Sequence, residues 1–493
     1  MRSTVFSVLL AAASCLAEPT IFPANKATNV NPDTHLILTF PSPPKIGTSG
    51  LIRIYDAADK KLVDTLDMSI SPSPNPSGRA PNANGQTKQP GPADPNDNSK
   101  YQVTMIAGVD FHFFPIIVRN NTATVYPHHG ALKYGHSYTV KMDPTVLTPA
   151  AGAFSGFTTD TAWTFTTKAA SPTNSSRIVV AADGSGDFNT VQGAIDFVPS
   201  SSSKRITIFI KNGFYEELVY MKGKNNIIIR GESRDKVIVG YPNNSAFNPP
   251  KSGPSRRPAF TITQCKSVQL SSFTINNYFV GQAEALLVRG EKVVLDHMTL
   301  SGSGDAFTTY GSIYFADSKL TGHGDTVLGY GAVFYLRSEI HSIGPFTWTR
   351  TPAGQHGNVF VNSSLISINE PLPWTVTEAR PTGQDSKSTF ARLPRNGGPT
   401  GVSNFPNAEM VLINVKTSGV PPEGWGPIQS APFDTSNVHF WEYNTMDLDG
   451  KPVDMSKRHP VSKQLKLPTD GKTIADYSNP KFVLGWEPVI VGP

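Results

Sequence analysis

Between Val268 and Ile366 one short unit recurs: two apolar-x-apolar stretches, separated by a few polar residues and closed by a Gly or Ser turn. The copies are Val268-Gln269-Leu270…Phe273-Thr274-Ile275, Val293-Val294-Leu295…Met298-Thr299-Leu300, Ile313-Tyr314-Phe315…Lys319-Leu320, Val333-Phe334-Tyr335…Glu339-Ile340 and Val359-Phe360-Val361…Leu365-Ile366. Their starts lie 25, 20, 20 and 26 residues apart. A unit this short cannot bury its apolar face alone and must stack on its neighbours. Strands with no helix between them then stack as a parallel β-helix. Equivalent positions of successive coils should sit about 4.8 Å apart, the spacing of hydrogen-bonded strands.

Composition fits that reading. Charged residues make up 16% of the 493, with 41 Gly and 42 Pro, against about 25% charged in an ordinary domain. A coiled coil, a long-helix bundle and a charge-driven disordered chain are excluded. Residues 18–170 read as a separate all-β domain of short strands such as Leu36–Phe40, Leu51–Tyr55, Tyr138–Met142 and Trp163–Thr167. Its Pro/Asn-rich start, its "SYTVKM" strand and its closing "WTFTT" resemble bacterial-type Ig-like sandwiches. Residues 71–98, dense in Pro, Asn, Ser and Gly, predict a mobile insertion, and 171–176 a linker to a β-helix over 177–493. Val191, Ala194, Ile195 and Val198 fall at i, i+3, i+4 and i+7, which predicts one amphipathic helix ending near Pro199.

Residues 1–17 read as a secretory signal peptide: Arg2, the apolar run Val5–Ala13, then the small-residue site Ser14-Cys15-Leu16-Ala17. The expected mature chain starts at Glu18, is extracellular, and keeps Cys265 as a lone cysteine. No run of 18 apolar residues follows, so no membrane span is expected. A net charge of +5 is too mild to imply nucleic acid. Asn120, Asn174, Asn243 and Asn362 open glycosylation sequons, with Asn362 the least favoured because its flanks are strand-like.

Two coils end almost identically, in Ser301-Gly302-Ser303-Gly304-Asp305-Ala306 and Thr321-Gly322-His323-Gly324-Asp325-Thr326. Register alone sets Asp305 over Asp325, with carboxylates on the order of 5 Å apart. Two carboxylates that close cannot both ionise cheaply, which predicts one raised and one low pKa. One coil earlier, in Gly281-Gln282-Ala283-Glu284-Ala285-Leu286, Gln282 offers an amide donor toward the same groove.

From about Arg177 to the C-terminus the chain resembles the pectin methylesterases. The marks are "VVAADGSGDFNTVQGAIDFVP" at 179–199, "GFYEE" at 213–217, "GQAEAL" at 281–286, the two Asp turns, "FARLP" at 390–394, "GW" at 424–425 and "EYN" at 442–444. The resemblance implies a right-handed parallel β-helix of the pectin lyase-like kind, and a monomer whose groove binds methylated homogalacturonan and which needs no metal or organic cofactor. It also implies an ester hydrolase with Asp325 as nucleophile, Asp305 as acid/base, Gln282 as oxyanion donor and Arg392 orienting the nucleophile. His323 and Trp425 are candidate substrate-binding residues, although Trp425 suits a core equally well. Three departures stand out: Gly304 where the family usually has Gln, Thr326 where it has Phe, and Leu393-Pro394 where it has Pro-Trp after the arginine. A non-catalytic glycan-binding β-helix is the alternative that these departures motivate.

Overall fold

The computed structural model describes residues 18–78, 99–173, 176–251, 253–369, 388–392, 405–426 and 434–492. Residues 79–98 of the Pro-rich segment, residues 1–17 and Asn174 therefore lie outside the described residues. The chain divides into two compact units. The described residues up to 72, 99–104 and 112–171 make the first, and 73–78, 105–111 and the chain from 172 make the second.

The first unit is built from a four-stranded antiparallel sheet and a five-stranded one. Strand residues alternate inward and outward, so Leu36, Leu38, Ile52, Ile54, Val140, Met142 and Phe165 form its core. Trp163 is fully buried and its indole donates to the Pro23 carbonyl at 2.9 Å.

The second unit is a parallel solenoid with three stacks of strands. One stack runs through the Val293–Asp296 end of Leu286–Asp296, then Ser312–Ala316, Ala332–Leu336, Asn358–Val361, Glu409–Ile413 and His439–Tyr443. A second runs through Thr274–Asn277, Thr299–Ser301, Lys319–Gly322, Glu339–Ser342, Ser364–Ser367 and Lys416–Ser418. A third holds Leu286–Val288, Phe307–Thr309, Val327–Gly329 and Thr347–Thr349. Ile275, Leu300, Leu320, Ile340 and Leu365 stack inside as an aliphatic ladder.

The repeat expected from the sequence is present, with one correction. Val333 pairs with Asn358, not Val359, so the last step is 25 residues. A one-residue slip exchanges the faces of a strand. Because Val359, Phe360 and Val361 are all buried, alternation could not set the register. The observed register stacks Tyr335 on Phe360 at 4.1 Å between ring centres.

Helix Val191–Phe197 forms where its periodicity placed it. Thr190 caps it by accepting from Gly193 N–H, and Glu217 accepts from the N–H groups of Val191 and Gln192. Two further helices, Gly471–Tyr477 and Pro480–Leu484, were not expected. The second had a readable start, because Asn479 caps it with Pro480 in the first turn. The sequon ranking also changes. Asn243 is buried, with its amide donating to the carbonyls of Arg256 and Pro258, which leaves no room for a glycan. Asn362 is exposed in a turn and accepts from the Asn414 amide of the next coil.

Candidate active site

The two Asp turns connect the second stack to the third. Ser301 lies opposite Thr321 and Phe307 opposite Val327, so Asp305 and Asp325 hold the same position in adjacent coils. Asp305 N–H donates to the Gly324 carbonyl at 3.3 Å, which ties the turns together. Both residues are left-handed, with φ of 57° and 43°. Asp is among the few non-glycine residues that tolerate that region, at a cost of about 1–3 kcal/mol recovered elsewhere in the fold.

Each carboxylate has its own guanidinium. Arg392 Nη1 lies 2.6 Å from Asp325 Oδ2. It is placed there because Arg392 N–H donates to Thr347 C=O, which adds residues 391–392 to the third stack. Asp325 Oδ1 is buried and has no hydrogen-bond partner among the described residues. Arg257 Nη2 lies 3.1 Å from Asp305 Oδ2, and its Nε lies 2.6 Å from Glu284 Oε1. The sequence reading missed Arg257 and Glu284, because a loop arginine some 48 positions upstream of Asp305 leaves no spacing signal.

The electrostatics also differ from the expectation of one high and one low pKa. Burial pushes the Asp305 carboxyl up; Arg257 opposes this and the Asp325 charge adds to it. Burial likewise raises Asp325, and Arg392 offsets only part of that rise. Desolvation of both groups outweighs their mutual repulsion. The asymmetry survives in one respect: only Asp305 bears a marked like-charge cost.

The pectinesterase family model matches residues 177–485, which is more than half of the chain. The chain belongs to the pectinesterase family. Pectinesterase 4 of Arabidopsis thaliana is 33% identical over 138 residues, 26% of this chain and 22% of its own length. Pectinesterase/pectinesterase inhibitor U1 of Solanum lycopersicum is 48% identical over 63 residues, 13% of this chain and 11% of its own. The chain thus spans about a quarter or less of the length of these curated relatives. Among solved structures, a pectin methylesterase in complex with a hexasaccharide has 21% identity and a TM-score of 0.51, covering 65% of this chain and all of that one. Pectin methylesterase PemA from Erwinia chrysanthemi gives 22% and 0.50 over the same shares. These likenesses establish the right-handed parallel β-helix.

The other pectinesterase candidates are placed as follows. Gln282 lies one coil before Asp305, bridged to Gly304, with its side chain exposed. His323 is half-buried in the Asp325 turn, and its backbone N–H donates to the Ser303 carbonyl. Trp425 lies in the core and not on the groove surface. It is 1% exposed, stacks on Phe440 at 4.4 Å between ring centres, and donates from Nε1 to Glu442. The GW dipeptide is core, because a buried indole needs an acceptor and Glu442 supplies one. Thr326 points inward too, sharing a hydrogen bond with Ser342 at 2.6 Å, so its departure from the pectinesterase pattern leaves the groove untouched. Residues 393–394 lie outside the described residues, but an aromatic stands at Arg392 nonetheless: Trp348, 4.5 Å from its guanidinium.

Trp348 ends a side-chain row that sequence reasoning overlooked. Arg289 packs on Tyr310 at 4.3 Å, and Tyr310 stacks on Tyr330 at 4.5 Å. Arg350 then bonds the Tyr330 hydroxyl and lies 3.4 Å above Trp348. The row follows the third stack coil by coil, because each member after Arg289 sits in or just past a strand of that stack. Its signal was present as Tyr310-Gly311 and Tyr330-Gly331, 20 residues apart.

Gly304 has a structural reason to be glycine. A Cβ there would come 2.8 Å from the Gly281 carbonyl oxygen, to which Gly304 N–H donates at 2.6 Å. Gly304→Gln, which would supply the donor that is usual in the family, is therefore expected to lose about 1–3 kcal/mol of stability through overpacking and to bring no gain in turnover. A melting curve and a rate measurement check both; a faster, equally stable variant would show that the turn relaxes.

Proposed function

We propose that this protein hydrolyses C6 methyl esters of polygalacturonate and releases methanol through an acyl-enzyme on Asp325. The observation that carries the reading is the stacked Asp305–Asp325 pair with a guanidinium on each carboxylate. Family membership supports it, as does the hexasaccharide bound by one structural relative. The row of arginines and aromatics beside the pair suits an anionic sugar chain, since sugar faces pack on rings and carboxylates pair with guanidinium groups.

In the proposed cycle, ionised Asp325 attacks the ester carbonyl and its C–O⁻ tetrahedral adduct forms within reach of the Gln282 amide. Protonated Asp305 gives its proton to the departing methoxide, leaving a mixed anhydride on Asp325. Asp305, now a carboxylate, takes a proton from water as the hydroxyl attacks the anhydride. That step restores Asp325 and frees the galacturonate acid. The proton on Asp305 is back in place for the next turnover.

We further propose an extracellular site of action, supported by the leader-like residues 1–17. Methanol release from highly methylated pectin, run beside an Asp325 variant, tests the activity. Retention of pectin without methanol release would support the non-catalytic binder instead.

A further inference from the structure

The cycle above leaves one buried ionisable group beside the catalytic pair unused. Glu284 is wholly buried between two coils, with its backbone fixed by donors from Ala259 and Asn277 to its carbonyl. Its Oε1 receives Arg257 Nε at 2.6 Å and the Thr308 hydroxyl at 3.3 Å, while Oε2 is buried with no hydrogen-bond partner among the described residues. The same Arg257 reaches Asp305 at 3.1 Å. One guanidinium, itself partly exposed, is thus shared by two buried carboxylates. If both ionised, the cluster would carry an uncompensated buried charge, so one of the two retains a proton.

We propose that Glu284 is a positioning residue that, by competing with Asp305 for Arg257, keeps Asp305 protonated until the leaving group needs the proton. The inference rests on the esterase reading and deepens it. An arginine alone beside Asp305 would hold it ionised and spoil it as an acid. A second carboxylate on that arginine takes up much of its charge. The other charged and titratable groups that face the cluster enter this balance. Arg257 comes from the segment before Phe260–Ser271, Tyr310 bears on Arg257, and Asp325, Arg350 and Arg392 bear on Asp305 from the later coils. Burial raises the Glu284 carboxyl, Arg257 draws it back, and the charge of Asp305 raises it further.

The test is the pH profile of Glu284→Gln, which keeps shape and removes the competing charge. Arg257 then serves Asp305 alone, Asp305 becomes the stronger acid, and the alkaline limb of kcat/KM for methanol release moves down by about one pH unit or more. Arg257→Gln removes the cation and moves the same limb upward. A merely structural role predicts a lower rate with the limb unmoved. The wild-type limb in either folded variant overturns the proposal, and should Glu284→Gln not fold, Glu284→Leu, which removes the same charge, replaces it and must lower the limb likewise. A second readout needs no turnover: the infrared band of protonated Asp305, identified by its loss in Asp305→Asn, should titrate at lower pH in Glu284→Gln. A wild-type protein that releases no methanol would sink the esterase reading, and the infrared midpoint would still decide whether Glu284 governs Asp305.

Discussion

Asp325→Asn is expected to lower kcat for methanol release by about 10²- to 10⁴-fold, with kcat/KM falling in parallel and the fold intact. Asn is the informative replacement because position 325 has a φ of 43°, a region that Asn adopts more readily than Ala. The amide keeps the turn and the room beside Arg392 but cannot form an anhydride. Asp305→Asn should fall by a similar factor for a different reason, since it can neither donate to methoxide nor take a proton from water. Direction follows for pH as well. Burial raises Asp325, so wild-type activity should begin to fall, as the pH drops, at a higher pH than an exposed aspartate would give. Wild-type turnover by either variant, with melting unchanged, would remove the acyl-enzyme from consideration.

The solenoid was legible because its signal is local and repeated. A 20-residue step recurs through Val293, Ile313 and Val333, and parallel stacking then brings Asp305 over Asp325 with no knowledge of the loops. What was illegible follows from the same physics. Arg257 and Glu284 meet across coils, and nothing periodic ties a loop arginine to a buried carboxylate. Trp425 misled because a Gly-Trp pair in a polysaccharide-binding family suits a sugar platform, whereas its neighbours Phe390, Phe440 and Glu442 make it core. The register slip at Asn358 arose where alternation was lost in an all-buried strand. Tyr310 and Tyr330 lay in plain view at the repeat spacing, but an isolated aromatic in a sequence does not show which ring it stacks on.

Glu409→Gln is expected to destabilise the solenoid by about 3–5 kcal/mol, the cost of breaking a buried, fully bonded ionic cluster by removing one partner. Glu409 Oε1 accepts from His356 Nδ1 at 2.9 Å and Gly357 N–H at 3.0 Å. Its Oε2 accepts from His439 Nδ1 at 2.7 Å and the Tyr477 hydroxyl at 2.6 Å. A single carboxylate therefore joins adjacent coils to helix Gly471–Tyr477. Burial alone would raise its pKa, but bonds from His356, His439 and Tyr477 outweigh that and hold it at about 2. The folded value lies below the unfolded one, so the stabilisation is complete above about pH 4.5 and is lost as the pH falls toward 2. A gap of roughly 2.5 units corresponds to about 3 kcal/mol at neutral pH, in line with the mutational estimate. Thermal melts at neutral pH and at pH 2.5 check this: the difference between wild type and Glu409→Gln should shrink in acid. Tyr477→Phe removes only one of the four donors and should cost about 1 kcal/mol. If the two variants cost the same, the hydroxyl alone fastens the helix and the carboxylate network carries nothing more.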